Sequence, residues 1–166
     1  MNTTFKANST LFAAMRQDLR RPHPFAHERI GFLSAGIAAT DEGLLILARS
    51  YRPVADDEYL PDPSVGAMMS AAAIRRALQW AMSDRVAIFN VHSHGGRGVP
   101  GFSTVDLRES AKYVPDFFKL AASRPHGALV LSNDSAYGKV WFTKTETAII
   151  TKFVEVGAPL RKWMVA

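Results

Sequence analysis

Cysteine is absent from this 166-residue chain, which excludes disulfides, thiolate metal ligands and a cysteine nucleophile together. Any metal it binds is held through nitrogen and oxygen. No run approaches the roughly 20 apolar residues of a membrane span, and the opening MNTTFKANST has no basic stretch followed by a hydrophobic core. The expectation is therefore a cytoplasmic protein with no membrane partner. Internal repeats and low-complexity tracts are missing as well. At this length, with 48% hydrophobic residues, the chain reads as a single domain with enough apolar material for its own core. A net charge of +5 favours acidic partners. Outside Arg16, Arg20, Arg21 and the pair Arg75, Arg76, however, the basic residues are scattered and not interleaved with aromatics, so nucleic acid is not expected.

What the chain does have is concentrated between Val86 and Asp106, VAIFNVHSHGGRGVPGFSTVD. Val86 to Val91 is short, apolar and rich in β-branched residues, the pattern of a buried strand. His92 and His94 follow it. On an extended backbone, residues two apart share a face, so both imidazoles reach one ion at the strand's end. A hydrolytic zinc site ordinarily has three protein ligands and one open position. Ser103-Thr104-Val105-Asp106 opens a helical pattern after a glycine-rich turn, which brings the Asp106 carboxylate back toward the histidines as the third ligand. The same Ser-x-x-Asp is also the pattern of a helix capping box, and the two roles are compatible. Far upstream, Glu28 stands before the apolar segment Ile30 to Leu33 and is the candidate base.

An upstream Glu, then His-Ser-His, then a short loop and Ser-x-x-Asp resembles the motif of the JAMM (JAB/MPN) metalloprotease family, and the likeness spans most of the chain. It implies one zinc ion per chain held by His92, His94 and Asp106, with Glu28 acting on the catalytic water and the Ser103 hydroxyl steadying the oxyanion. The implied activity is zinc-dependent hydrolysis after the C-terminal glycine of a ubiquitin-like protein, as deconjugation or precursor processing. The implied partners are that protein, its conjugates and E1- and E2-like conjugation enzymes, in a setting such as the antiviral operons where compact bacterial JAB-domain deubiquitinase-like members occur. Two departures stand in the residues. The loop 95–102 is one residue longer than the family spacing, and the small residue expected in E-x-x-G-x-L-x-G falls on Ala35, with Gly36 one later. The alternatives within the same fold are a non-catalytic scaffold, as in members that have lost their ligands, and a nucleic-acid-associated domain.

The expected architecture is α/β: a mixed, mostly antiparallel sheet with packed helices, in the cytidine-deaminase-like arrangement the resemblance implies. In chain order, residues 1–8 are expected to be loose, Ser9 to cap a helix carrying Leu11, Phe12, Met15 and Leu19, and Pro22 and Pro24 to end it. A strand from Glu28 to Ile37 turns at Asp41-Glu42-Gly43 into a return strand, Leu44 to Tyr51. Arg52 to Ser64 is a loop whose acids Asp56, Asp57 and Glu58 stand out in a basic chain. It reads first as a solvated connector and second as a substrate-recognition loop. Ile74, Ala77, Leu78, Ala81 and Met82 mark a helix. Pro115 is expected to break or kink the helix that begins at Ser103. Strands are expected over Gly127 to Ser132 and Lys139 to Thr143, around a turn at Asn133-Asp134-Ser135. The segment 145–166 is undecided between strand and helix.

Overall fold

The computed structural model describes residues 2–24, 26–120, 124–157 and 161–164. Its central strand is β4 (Ala87–Ser93), whose first six residues are all buried, as a strand covered on both faces must be. Phe89 and Val91 point to one face and Ile88, Asn90 and His92 to the other. Beside β4 lie β2 (Ile30–Thr40), antiparallel, and β5 (His126–Leu131), parallel. The remaining strands are β1 (Thr3–Asn8), β3 (Gly43–Pro53), β6 (Ala136–Trp141), β7 (Thr147–Ile149), β8 (Lys152–Val156) and β9 (Arg161–Met164). All nine form one mixed sheet in the order β7-β6-β5-β4-β2-β3-β1-β8-β9, with parallel pairs at β4–β5, β1–β3 and β1–β8.

Helix α1 (Ser9–Leu19) covers one face through Phe12, Met15 and Leu19, which join Phe5, Leu33, Phe89, Val91 and Leu129 in one apolar cluster. Helices α2 (Ala71–Asp84) and α3 (Thr104–Leu120) cover the other with Ala77, Trp80, Tyr113 and Phe117 against Phe32, Ile88 and Ala128. The result is helix, sheet, helix in three layers, an α/β architecture with a mixed and largely antiparallel sheet. Among the described residues no helix is long and apolar enough to cross a membrane.

Several sequence expectations are corrected. Residues 3–8 are not loose but form an interior strand, with Thr3, Phe5 and Ala7 buried in alternation and partners on β3 and β8. Those partners lie some 40 and 148 residues away (Thr3 with Leu44, Thr4 with Lys152), so nothing local in a polar hexapeptide announces them. The α1 cap is Asn8, whose side-chain Oδ1 accepts the Leu11 N–H at 2.7 Å, with Ser9 already helical. Helix α3 runs through Pro115 for 17 residues. A mid-helix proline costs about 3 kcal/mol, and burial of Tyr113, Val114, Phe117 and Phe118 outweighs it at about 1.5–3 kcal/mol per large side chain. The segment left undecided contains strands and no helix among its described residues: β7 over Thr147–Ile149, β8 over Lys152–Val156 and β9 over Arg161–Met164.

The acidic loop is tied down rather than free. Asp56 pairs with the buried Arg29 at 2.7 Å, and Glu58, itself buried, pairs with Arg76. Arg29 also donates to the backbone carbonyls of Arg21 and Pro22. Of the three acids proposed to meet a partner, Asp57 alone is left exposed without such an ion pair. The segment is anchored at these two acids, and it leads into residues 64–69, which wall the cleft described next.

Candidate metal centre

At the carboxyl end of the parallel pair β4–β5, the chain leaves the sheet, crosses a glycine-rich loop and enters α3. Crevices at such strand ends are where open α/β sheets ordinarily bind ligands. The strand end is pinned by the His94 N–H donating to the Leu131 carbonyl at 3.0 Å and the Ser93 hydroxyl donating to the same oxygen at 3.2 Å. Gly95 and Gly96 then take φ near +64° and +62°, the left-handed region where a side chain is disfavoured. The turn reverses the chain so that α3 starts beside the histidines.

Helix α3 opens with a reciprocal cap. The Ser103 Oγ accepts the Asp106 N–H at 3.1 Å, and the Asp106 carboxylate accepts the Ser103 N–H at 2.7 Å. This arrangement satisfies two otherwise orphaned helix donors and fixes the Asp106 side chain. Its two oxygens face the two imidazoles: Oδ1 lies 3.4 Å from His92 Nε2, and Oδ2 lies 3.4 Å from His94 Nε2. The two Nε2 atoms are 3.0 Å apart. Burial alone raises the Asp106 carboxyl, but the hydrogen bond and charge of His92, then the hydrogen bonds of Ser103, hold it well below the usual carboxylate range.

Glu28 arrives from just before β2, on the strand next to β4, with its Oε1 3.9 Å from His94 Nε2. The Gly66 carbonyl fixes its backbone by accepting the His27 and Glu28 N–H groups at 2.8 and 3.0 Å. A Cβ on Gly66 would fall 2.4 Å from the Glu28 carboxyl carbon, so only glycine lets this wall come so close. Glu28, His92 and His94 can each place a ligand atom within 4.8 Å of the others.

The donor set suits a divalent ion. With zinc to ligand distances of about 2.0–2.1 Å, neighbouring corners of a tetrahedron are about 3.3 Å apart. The two Nε2 atoms are 3.0 Å apart, and the Asp106 carboxylate meets them through different oxygens, Oδ1 toward His92 and Oδ2 toward His94, at 3.4 Å each. Three electron-rich groups converging this closely repel one another unless a proton or a cation lies between them. Glu28, at 3.9 Å, stands beyond that spacing. His92 is 5% exposed, whereas the side chains of His94, Glu28 and Asp106 are 28%, 24% and 20% exposed, so the cluster is anchored on one side and open on the other.

The opening leads into a cleft of about 290 Å³ whose walls include Met68, Met69, Phe102 and Val105. Its floor holds Tyr113, whose phenol burial pushes up to about 12, so that it stays neutral. All five residues singled out from the sequence, Glu28, His92, His94, Ser103 and Asp106, line this one cleft, and the acids Asp56, Asp57 and Glu58 do not. Sequence reasoning missed the 64–69 wall, which carries no chemical motif. It also missed Asn90, although a polar residue inside the run VAIFNV was a legible signal.

Comparison with known proteins adds no family. No protein-family model matches the chain, and no curated protein does. Among solved structures it is similar to the Trichoplax adhaerens STIL N-terminal domain at 9% identity and a TM-score of 0.41, over 81% of this chain and 40% of that one.

Proposed function

We propose that the chain is a zinc-dependent isopeptidase or peptidase of the JAMM type, a single JAB/MPN-like domain that cleaves after the C-terminal glycine of a ubiquitin-like protein. The observation that carries this reading is the convergence of His92, His94 and Asp106, from a strand end and a helix start, at mutual distances of 3.0–3.4 Å, with Glu28 just outside them. When bound, zinc supplies Lewis-acid activation of water and of the scissile carbonyl. The chain's own residues do the rest. His92, His94 and Asp106 hold the ion, and the Ser103 cap keeps Asp106 aimed at it. Glu28 takes the proton from the attacking water and delivers it to the departing amine, a role that needs a carboxylate near the ligands but not among them. The Ser103 oxygen already accepts the Asp106 N–H, which leaves its own O–H to donate toward the developing oxyanion. Apolar walls from Met68, Met69 and Phe102 restrict water around the reacting bond. Ubiquitin-like conjugates, with the E1- and E2-like enzymes that make them, are the proposed partners.

The test is metal content of the purified protein, measured beside cleavage of a fusion placed after a ubiquitin-like Gly-Gly tail. Stoichiometric zinc with cleavage is expected, and both should vanish in His92→Ala and His94→Ala. Stoichiometric zinc in the double variant would overturn the ligand assignment.

A further inference from the structure

One polar side chain in the cleft has no part in the scheme above. Asn90 precedes His92 by two residues, so it emerges on the same face of β4, between Phe32 of β2 and Ala128 of β5. It is 7% exposed and lines the cleft that holds the candidate ligands. Its Nδ2 is buried with no hydrogen-bond partner. Buried side-chain polar atoms are nearly always paired, and an orphan points to a group that completes it. Packing does not account for the amide, because leucine fills the same volume and would suit the apolar run VAIFNV better. Half a turn about χ2 exchanges the two ends of the carboxamide without moving the backbone, so the NH₂ can face the cleft while the carbonyl oxygen takes the buried position.

We infer that Asn90 is a substrate-binding residue whose Nδ2 donates to a backbone carbonyl oxygen of the peptide lying in the cleft. This rests on the isopeptidase reading for the identity of the peptide. A neutral acceptor fits better than an anion, because the charged groups lining the cleft besides the histidines are the carboxylates Glu28, Asp106 and Glu109. An extended peptide also offers carbonyls at regular spacing, so Asn90 selects the register in which the scissile bond meets His92 and His94. It thereby acts on specificity and leaves the metal alone.

The experiment uses zinc-loaded Glu28→Gln protein, which holds the substrate uncleaved, and calorimetric titration with a Gly-Gly isopeptide on lysine. A set of analogues has each backbone carbonyl in turn reduced to methylene. Asn90→Leu and Asn90→Asp, which remove the donor at nearly constant volume, should weaken binding about tenfold, the worth of one neutral hydrogen bond. Their zinc content should be unchanged. One analogue should bind the Asn90 protein about tenfold more weakly and Asn90→Leu no more weakly than the parent peptide does. Equal binding of the parent peptide with and without Asn90, or equal loss across all analogues, overturns the inference. Zinc loss in Asn90→Leu overturns it too, by making Asn90 a positioning residue for the ligands. The analogue series on the unaltered side chain does not depend on the variants folding. Peptide that binds but is not cleaved by the wild-type chain refutes the isopeptidase reading alone, whereas no binding refutes this inference.

Discussion

Ser103 stands at the junction of folding and chemistry, and replacing it separates the two. Ser103→Ala removes the oxygen that accepts the Asp106 N–H at 3.1 Å but keeps the backbone N–H that the Asp106 carboxylate accepts at 2.7 Å. Loss of such a cap costs about 1 kcal/mol, while glycine at the same position costs only a few tenths. For a chain of 166 residues, 1 kcal/mol corresponds to about 2–4 °C in melting temperature. Metal-free Ser103→Ala should therefore melt about 2–4 °C below wild type and Ser103→Gly within about 1 °C of it. Metal-free protein is essential, since a bound ion adds its own stabilisation and masks the difference. Zinc content should survive in both, because the remaining hydrogen bond still orients Asp106. Turnover per bound zinc should fall about 10²- to 10³-fold in both, the effect of deleting one oxyanion donor. Wild-type turnover per zinc in the two variants would refute the oxyanion role and leave Ser103 a cap. An unshifted Ser103→Ala melting curve would refute the cap's contribution to stability.

Glu28→Gln keeps the shape but cannot take a proton, so zinc should remain while turnover falls about 10²- to 10⁴-fold; lost zinc would show Glu28 to be a ligand. Gly66→Ala pushes a methyl group against the Glu28 carboxyl, and a displacement of about 1 Å there should lower turnover about 10²-fold with zinc content intact. Asp56 is held below its ordinary value by its hydrogen bond to Arg29. The stability it contributes is fully present above its unfolded value of about 3.9 and is lost as the pH falls through the lower folded value. Asp56→Asn should thus be less stable at neutral pH and have a flatter acid limb in pH-dependent melting, and an unchanged acid limb would count against the Arg29 pair. Protons compete for imidazole ligands, so zinc should be released on acidification and by chelators, followed by equilibrium dialysis, while thiol alkylators do nothing to a chain without cysteine.

The elements legible in the sequence were those set by short-range periodicity. The β4 run, the amphipathic α2, the Asp41-Glu42-Gly43 turn and the Ser-x-x-Asp helix start all depend on residues within a few positions of one another. The His92 and His94 pair was legible for the same reason, because two-residue alternation on a strand is a local rule. The absence of cysteine settled the nitrogen and oxygen character of any metal site at once.

Tertiary structure decided what depends on distant partners. The hexapeptide Thr3–Asn8 is a strand because β3 and β8 close on both sides of it, and α3 passes Pro115 because the sheet rewards the buried face more than the proline disrupts it. Asp56 and Glu58 read first as part of a solvated connector and second as part of a recognition loop, and only the folded chain turns them to Arg29 and Arg76. Glu28 lies 64 residues before His92, and the antiparallel pairing of β2 with β4, opposing Ile30 to His92, is what carries it to the two histidines. Local sequence sets which face a side chain takes. Which distant side chains share that face follows from sheet order, and sheet order is a property of the whole chain's packing.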